Sequence, residues 1–261
     1  MRTNDGELRP KPGGRLCYLV LLILAVSSFA APAQSDINGP YYARRNTFGF
    51  IVAFSGDSSH ILLGDAENRE LLNLGVSYNR RLFLNRIVNW QYSGELLPVA
   101  LESDPMQYTT ETVTFTNENP PVTTTGTTAS PTLGPCYPSS GSGSVPGFEN
   151  YTYTSICGRR WTIGEAMSPI GIQWNFQPRR KMQPFFAGHG GYMYSTQPIP
   201  INYAGSFNFT FDLGAGFELY RARNRSIRFE YRYHHISNHG TANTNPGIDN
   251  GLFQVTYAFG R

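Results

Sequence analysis

From residue 48 onward, much of the chain alternates apolar and polar side chains with period two. Phe48, Phe50, Val52 and Phe54 interleave with Gly49, Ile51, Ala53 and Ser55, and Leu72, Leu74, Val76 and Tyr78 repeat the pattern. Val88, Trp90, Tyr92 and Leu96 share one phase, with Asn89, Gln91, Ser93 and Glu95 in the other. Further alternating segments begin at Ile170, at Phe207, at Ile227 and at Phe253, and a weaker, glycine-rich one covers residues 184–194. Successive side chains of a strand point to opposite faces, so each segment has one apolar face. The pattern predicts eight strands. No stretch alternates helix with strand, which excludes a βαβ architecture.

Alternation by itself does not separate a membrane barrel from a soluble, lipocalin-like one. Three features favour the membrane. The apolar phase is rich in large aromatics, with Trp90, Trp174, Tyr257 and Phe259 near strand ends, where interfacial girdles sit. The polar phase is mostly Gly, Ser, Asn, Gln and paired Arg and Glu, groups that can fill a narrow lumen with hydrogen bonds. Connections near Asn85, Gln177–Gln183 and Ala222–Arg225 are short, whereas 56–70, 103–160, 196–205 and 238–248 are longer. Composition agrees: the basic residues are nearly all arginine, with Lys11 and Lys181 the only lysines, unlike the lysine-coated outside of a soluble secreted β-protein. The expected fold is all-β, an eight-stranded antiparallel transmembrane β-barrel of the outer-membrane type.

Residues 1–33 read as a secretory signal: Arg2, Arg9, Lys11 and Arg15 precede an apolar run, Leu16–Val26, and Ala31-Pro32-Ala33 fits a small-x-small cleavage site. The run is well short of the ~20 residues a spanning helix needs. The mature chain, 34–261, then keeps Cys136 and Cys157 as candidates for a structural disulfide, while Cys17 is lost with the signal. Without residues 1–33 the basic side chains outnumber the acidic by one, so no polybasic face suggests nucleic acid. Residues 103–160 form a Thr/Pro/Ser/Gly-rich extracellular insertion. Its flanks, 107–117 and 150–157, are compatible with strand extensions, and Pro120–Pro146 reads as a flexible tip.

One grouping carries chemistry. His235 and Ser237 continue the odd-numbered, lipid-facing series of Ile227, Phe229, Tyr231 and Tyr233. Serine becomes nucleophilic when a base accepts its proton, and histidine does so best when a carboxylate fixes its tautomer. Asp249 has the phase of Phe253, Val255 and Tyr257, and a hairpin around 238–248 can bring it beside His235. The plain alternative is a pair of interfacial polar residues at a strand end. His189 and His234 fall among lumen positions, His60 lies in a loop without evident partners, and His239 is a loop residue. No carboxylate cluster or phosphate-binding loop is present, so no cofactor or metal is expected.

The segment His235-Ile236-Ser237-Asn238-His239-Gly240, followed by Asn245-Pro246-Gly247 and by Asp249 twelve residues after the serine, resembles the outer-membrane lipid A 3-O-deacylases of the PagL type. The resemblance implies an esterase acting on lipid A of lipopolysaccharide in the outer leaflet of a Gram-negative outer membrane. Ser237 would be the nucleophile, His235 the base and Asp249 the orienting acid. Asn238 and the Gly240 N–H would serve as oxyanion donors, and a homodimer is compatible with this reading. The sequence departs from the family at Asp249, where glutamate is typical, in the 103–160 insertion, and in ending on Gly260-Arg261 instead of a terminal aromatic. A non-enzymatic barrel, a small channel or an adhesin using the 103–160 loop, is the competing reading.

Overall fold

The computed structural model describes residues 40–261, all of whose regular elements are strands. The expected signal segment, its cleavage site and Cys17 lie outside the described residues. Ten strands follow in order: β1 (Asn46–Ser55), β2 (Glu70–Leu84), β3 (Val88–Phe115), β4 (Val122–Pro131) and β5 (Ser139–Val145), then β6 (Glu149–Phe176), β7 (Met182–Ser195), β8 (Phe207–Ala222), β9 (Arg225–Ser237) and β10 (Ile248–Gly260). Eight of them, all but β4 and β5, form an antiparallel ring, closed by the β1–β10 ladder and by the pairing of β3 with β6. Closure removes every free edge from the ring, as a barrel in lipid requires. The protein is an eight-stranded barrel of the outer-membrane type.

The period-two pattern sets which side chains face out. Phe48, Phe50, Val52 and Phe54 of β1 are each about half exposed, whereas Ile51 and Ala53 between them are buried. Trp90 and Trp174 stack on the outer surface at the short-turn end, ring centroids 6.4 Å apart. Inside, charge is paired: Arg232 meets Glu95 at 2.6 and 2.8 Å and Glu230 at 2.9 Å, and Arg44 bridges Glu218 and Ser226. A buried charge is tolerated only when paired in this way. The lumen is mostly polar, as the pattern suggested, but part of it is apolar. Leu71, Leu97, Met193, Ile236 and Leu252 form an apolar plug that borders the polar network.

The 103–160 segment differs most from expectation. Its flanks do extend β3 and β6, but residues 122–131 and 139–145, expected to be a flexible tip, are strands β4 and β5. They complete a four-stranded sheet, β4-β3-β6-β5, continuous with the barrel wall. Threonine is β-branched and favours a pleated strand, and the threonines register across the sheet: Thr110–Thr127, Thr112–Thr125 and Thr114–Thr123 share hydroxyl hydrogen bonds of 3.0–3.1 Å. Cys136 and Cys157 are joined as a disulfide at the base of this sheet.

The long connections gather at the end of the barrel opposite the short turns. One of them, residues 56–69 between β1 and β2, folds down against the start of β10. Ser58 bridges Asn250, Ala66 bridges Ile248, and the N–H groups of Asp65 and Ala66 donate to the carbonyls of Pro246 and Gly247 at 2.6 and 3.1 Å. That contact shapes the site described next.

Candidate active site

Ile236 and Ile248 face each other across the β9–β10 ladder and both point into the plug, so their neighbours in sequence point outward. Asp249 is therefore directly opposite His235, and its Oδ1 lies 2.6 Å from the imidazole Nδ1. The Tyr233 hydroxyl donates to the same oxygen at 2.9 Å, and its ring lies nearly parallel to that of His235. The other oxygen, Oδ2, accepts the main-chain N–H groups of Leu62 and Leu63 at 2.7 and 2.8 Å. Four donors thus satisfy a carboxylate that is fully buried beneath the 56–69 loop. Facing a carboxylate, Nδ1 carries the proton, and Nε2 is left as the basic nitrogen.

Two glycines make this packing possible. Gly247 has φ +59°, and a Cβ there would lie 3.1 Å from Cε1 of His235. A Cβ on Gly64 would lie 2.6 Å from the main-chain nitrogen of Asp249. Gly64 has no room for a side chain, and at Gly247 the positive φ strains any other residue.

Ser237 is the last residue of β9. Its Oγ donates to Oδ1 of Asn245 at 2.8 Å and accepts the His239 N–H at 3.2 Å; no hydrogen bond joins it to His235. Ser237 and His235 nevertheless line one open groove of about 470 Å³ on the outward face, together with Leu63, Phe209, Phe211 and His239. Phe209 and Phe211 come from β8, opposite Ser237 and His235 in register.

The turn after Ser237 is tightly bonded. Asn238 is buried; its Nδ2 donates to the Thr244 carbonyl at 2.6 Å, and its Oδ1 accepts the Gly240 N–H at 2.9 Å. Both groups expected as oxyanion donors are therefore beside the serine, but the Gly240 N–H is engaged within its own turn. Asn245 also accepts the Asn238 N–H at 3.0 Å, so one amide oxygen ties the serine to the turn.

Asn245, Tyr233 and the Leu62–Gly64 backbone were not singled out as site groups by sequence. Asn245 was visible in the Asn-Pro-Gly motif and Tyr233 in the lipid-facing series, whereas the loop gave no local signal. His60, expected to lack partners, bonds the Gly64 carbonyl at 3.0 Å and faces Glu67 at 3.2 Å. His189 and His234 are buried inside the barrel, paired with Asp212 at 2.8 and 3.8 Å. Among the described residues, no group of three or more His, Cys, Asp or Glu side chains is arranged to hold a metal ion.

Fold and site together define an outer-membrane barrel that presents serine, histidine and aspartate beside an apolar groove on its outward face. Residues 123–258 match the family model for lipid A 3-O-deacylase (PagL), and the chain belongs to that family. The match runs from β4 to β10 and includes His235, Ser237 and Asp249. Similar solved structures include Neisserial surface protein A (NspA), with 10% identity and a TM-score of 0.39 over 82% of this chain and 97% of that one. Another is the outer membrane protein OprG from Pseudomonas aeruginosa, with 8% identity and a TM-score of 0.37 over 85% and 100%. No curated protein matches the chain.

Proposed function

We propose that this protein hydrolyses an ester-linked acyl chain of lipid A, with Ser237 as nucleophile, His235 as general base and Asp249 as the residue that orients His235. The observation that carries this reading is the 2.6 Å contact of Asp249 with His235 Nδ1 beside Ser237, on the lipid-facing surface. Polar groups in that position serve no pore, but they meet a substrate that is itself a membrane lipid. Family membership supports the substrate class.

With the long-loop end outside the cell, the groove opens at the outer leaflet. For reaction the serine hydroxyl leaves Asn245 and turns toward Nε2 of His235. Nε2 takes the proton as Oγ attacks the ester carbonyl, and the imidazolium returns it to the departing sugar oxygen. Water then releases the fatty acid from the acyl-enzyme by the same base. The oxyanion forms beside the Ser237–Gly240 turn, where the Gly240 N–H becomes a donor once it leaves Oδ1 of Asn238, and Asn238 Nδ2 once it leaves the Thr244 carbonyl. Donors fixed in this way are worth roughly 3–4 kcal/mol each when water is excluded.

The test is Ser237→Ala. A variant that keeps the heat-modifiable gel mobility of a folded barrel should release no fatty acid from lipopolysaccharide, because alanine has no oxygen to acylate. Release at the parent rate would remove Ser237 from the mechanism.

A further inference from the structure

The loop between β1 and β2 carries Ile61, Leu62 and Leu63 in succession, and these side chains are 44%, 74% and 65% exposed. Leaving side chains of this kind in water forgoes the free energy of burying them. The backbone at the same residues is held firmly. Leu62 and Leu63 donate to Asp249, Gly64 is wedged against the Asp249 backbone, and Asp65 and Ala66 bond the Pro246-Gly247 turn. The loop therefore turns its main chain toward Asp249 and leaves its aliphatic side chains exposed, with Leu63 at the groove.

What lies beside the tip indicates what covers it. Leu63 shares the groove with Phe209 and Phe211, which are 46% and 44% exposed on the outward face of β8. The lipid-facing surface of the barrel thus continues across the groove onto the loop. An apolar surface continuous with a membrane-facing one has acyl chains as its natural cover. Residues 61–63 lie outside the 123–258 family match.

We propose that the Ile61-Leu62-Leu63 tip is seated among acyl chains of the outer leaflet, and that this seat fixes the two N–H groups that position Asp249. Contact with lipid is then coupled to the orientation of His235, and Leu62 and Leu63 are positioning residues acting through Asp249. The coupling rests on the esterase reading above; the seating in lipid does not.

Two measurements on the full chain test it. In liposomes of phosphatidylcholine brominated on its acyl chains, a Leu62→Trp variant should show added fluorescence that bromine quenches, beyond the background of the three native tryptophans. The second uses the double variant Ile61→Asn/Leu62→Asn, which keeps both N–H groups and leaves Leu63 in the groove. On lipopolysaccharide in phospholipid bilayers its kcat should fall by about tenfold to a hundredfold, the cost of a misplaced catalytic group, with KM changed by less than about twofold. Gel mobility confirms folding in each case. Unquenched fluorescence at position 62 overturns the seat. An unchanged kcat, or a loss carried by KM alone, overturns the coupling. A parent chain that releases no fatty acid overturns the esterase reading instead, and quenching still decides the seat.

Discussion

Ser237 and Asn245 are joined by a 2.8 Å hydrogen bond that directs the serine proton away from the neighbouring imidazole. The same amide oxygen accepts the Asn238 N–H, so Asn245 both shapes the turn and competes with His235 for the hydroxyl. A neutral amide is a weak competitor; a carboxylate is not. Asn245→Asp should hold the proton more tightly and place a negative charge near the developing oxyanion. At an effective dielectric of about 20, like charges about 6 Å apart repel by roughly 3 kcal/mol, or about a hundredfold in rate. Single-turnover release of fatty acid checks this. A faster Asn245→Asp variant would mean that the asparagine does not compete with the base.

Gly64→Ala tests the nest around Asp249. The added Cβ would stand 2.6 Å from the Asp249 nitrogen and 2.9 Å from the Ile248 carbonyl carbon, both main-chain atoms that cannot swing aside. The loop must lift, and its N–H groups leave Asp249. Turnover should drop by about tenfold or more, since displacing a catalytic group by about 1 Å can cost about a hundredfold. The barrel ladders do not pass through Gly64, so gel mobility should be unchanged. Parent activity in this variant would show that the nest does not matter.

A second serine, histidine and aspartate meet inside the barrel. Ser93 Oγ is 3.0 Å from Nε2 of His189, whose Nδ1 is 2.8 Å from Asp212. The order of groups is that of a catalytic triad, yet all three are buried and the adjoining void is only about 10 Å³. A reaction needs a place for substrate as well as a hydrogen-bonded chain. Ser93→Ala should therefore leave fatty-acid release unchanged while slightly lowering resistance to denaturant. Loss of release in a folded Ser93→Ala barrel would move the active centre into the lumen.

Period-two alternation made the outward face legible. Because Ile227, Phe229 and Tyr231 share a phase, His235 and Ser237 had to point outward, and the phase of Phe253 and Tyr257 brought Asp249 to the same side. Three things were hidden. The bonds from Leu62 and Leu63 to Asp249 join residues nearly 190 positions apart, and no local pattern announces such a contact. The Thr123–Thr128 run has the composition of a low-complexity tip, while the β-branched threonines favour the strand they form. Parity also tells which side chains point inward but not what they pack against, so the plug around Ile236 and Leu252 emerged only from the closed ring.

Asp249→Asn is the sharpest test of the site, because the nest dictates how the amide must sit. Leu62 and Leu63 present two N–H donors to one oxygen of Asp249, and only an oxygen can accept them. An asparagine would turn its oxygen toward the loop, leaving its NH₂ to face Tyr233 and Nδ1 of His235. That NH₂ donates to Nδ1 and shifts the imidazole proton to Nε2, the nitrogen that must receive the serine proton. The barrel should fold normally and nearly lose activity; in a serine protease the equivalent change costs about 10⁴-fold through the same wrong tautomer. Asp249→Glu separates packing from resemblance. Glutamate is typical of the family, but here the carboxylate is fully buried under Gly64 and bonded on both oxygens, so an added methylene must displace the loop or the imidazole. The expected result is a loss of about tenfold or more, set by displaced geometry. Fatty-acid release from purified lipopolysaccharide in detergent measures both variants, with gel mobility before and after heating as the folding control. If Asp249→Asn worked at the parent rate, Ser237 and His235 would act as a pair, and Asp249 would serve only to tie the 56–69 loop to β10.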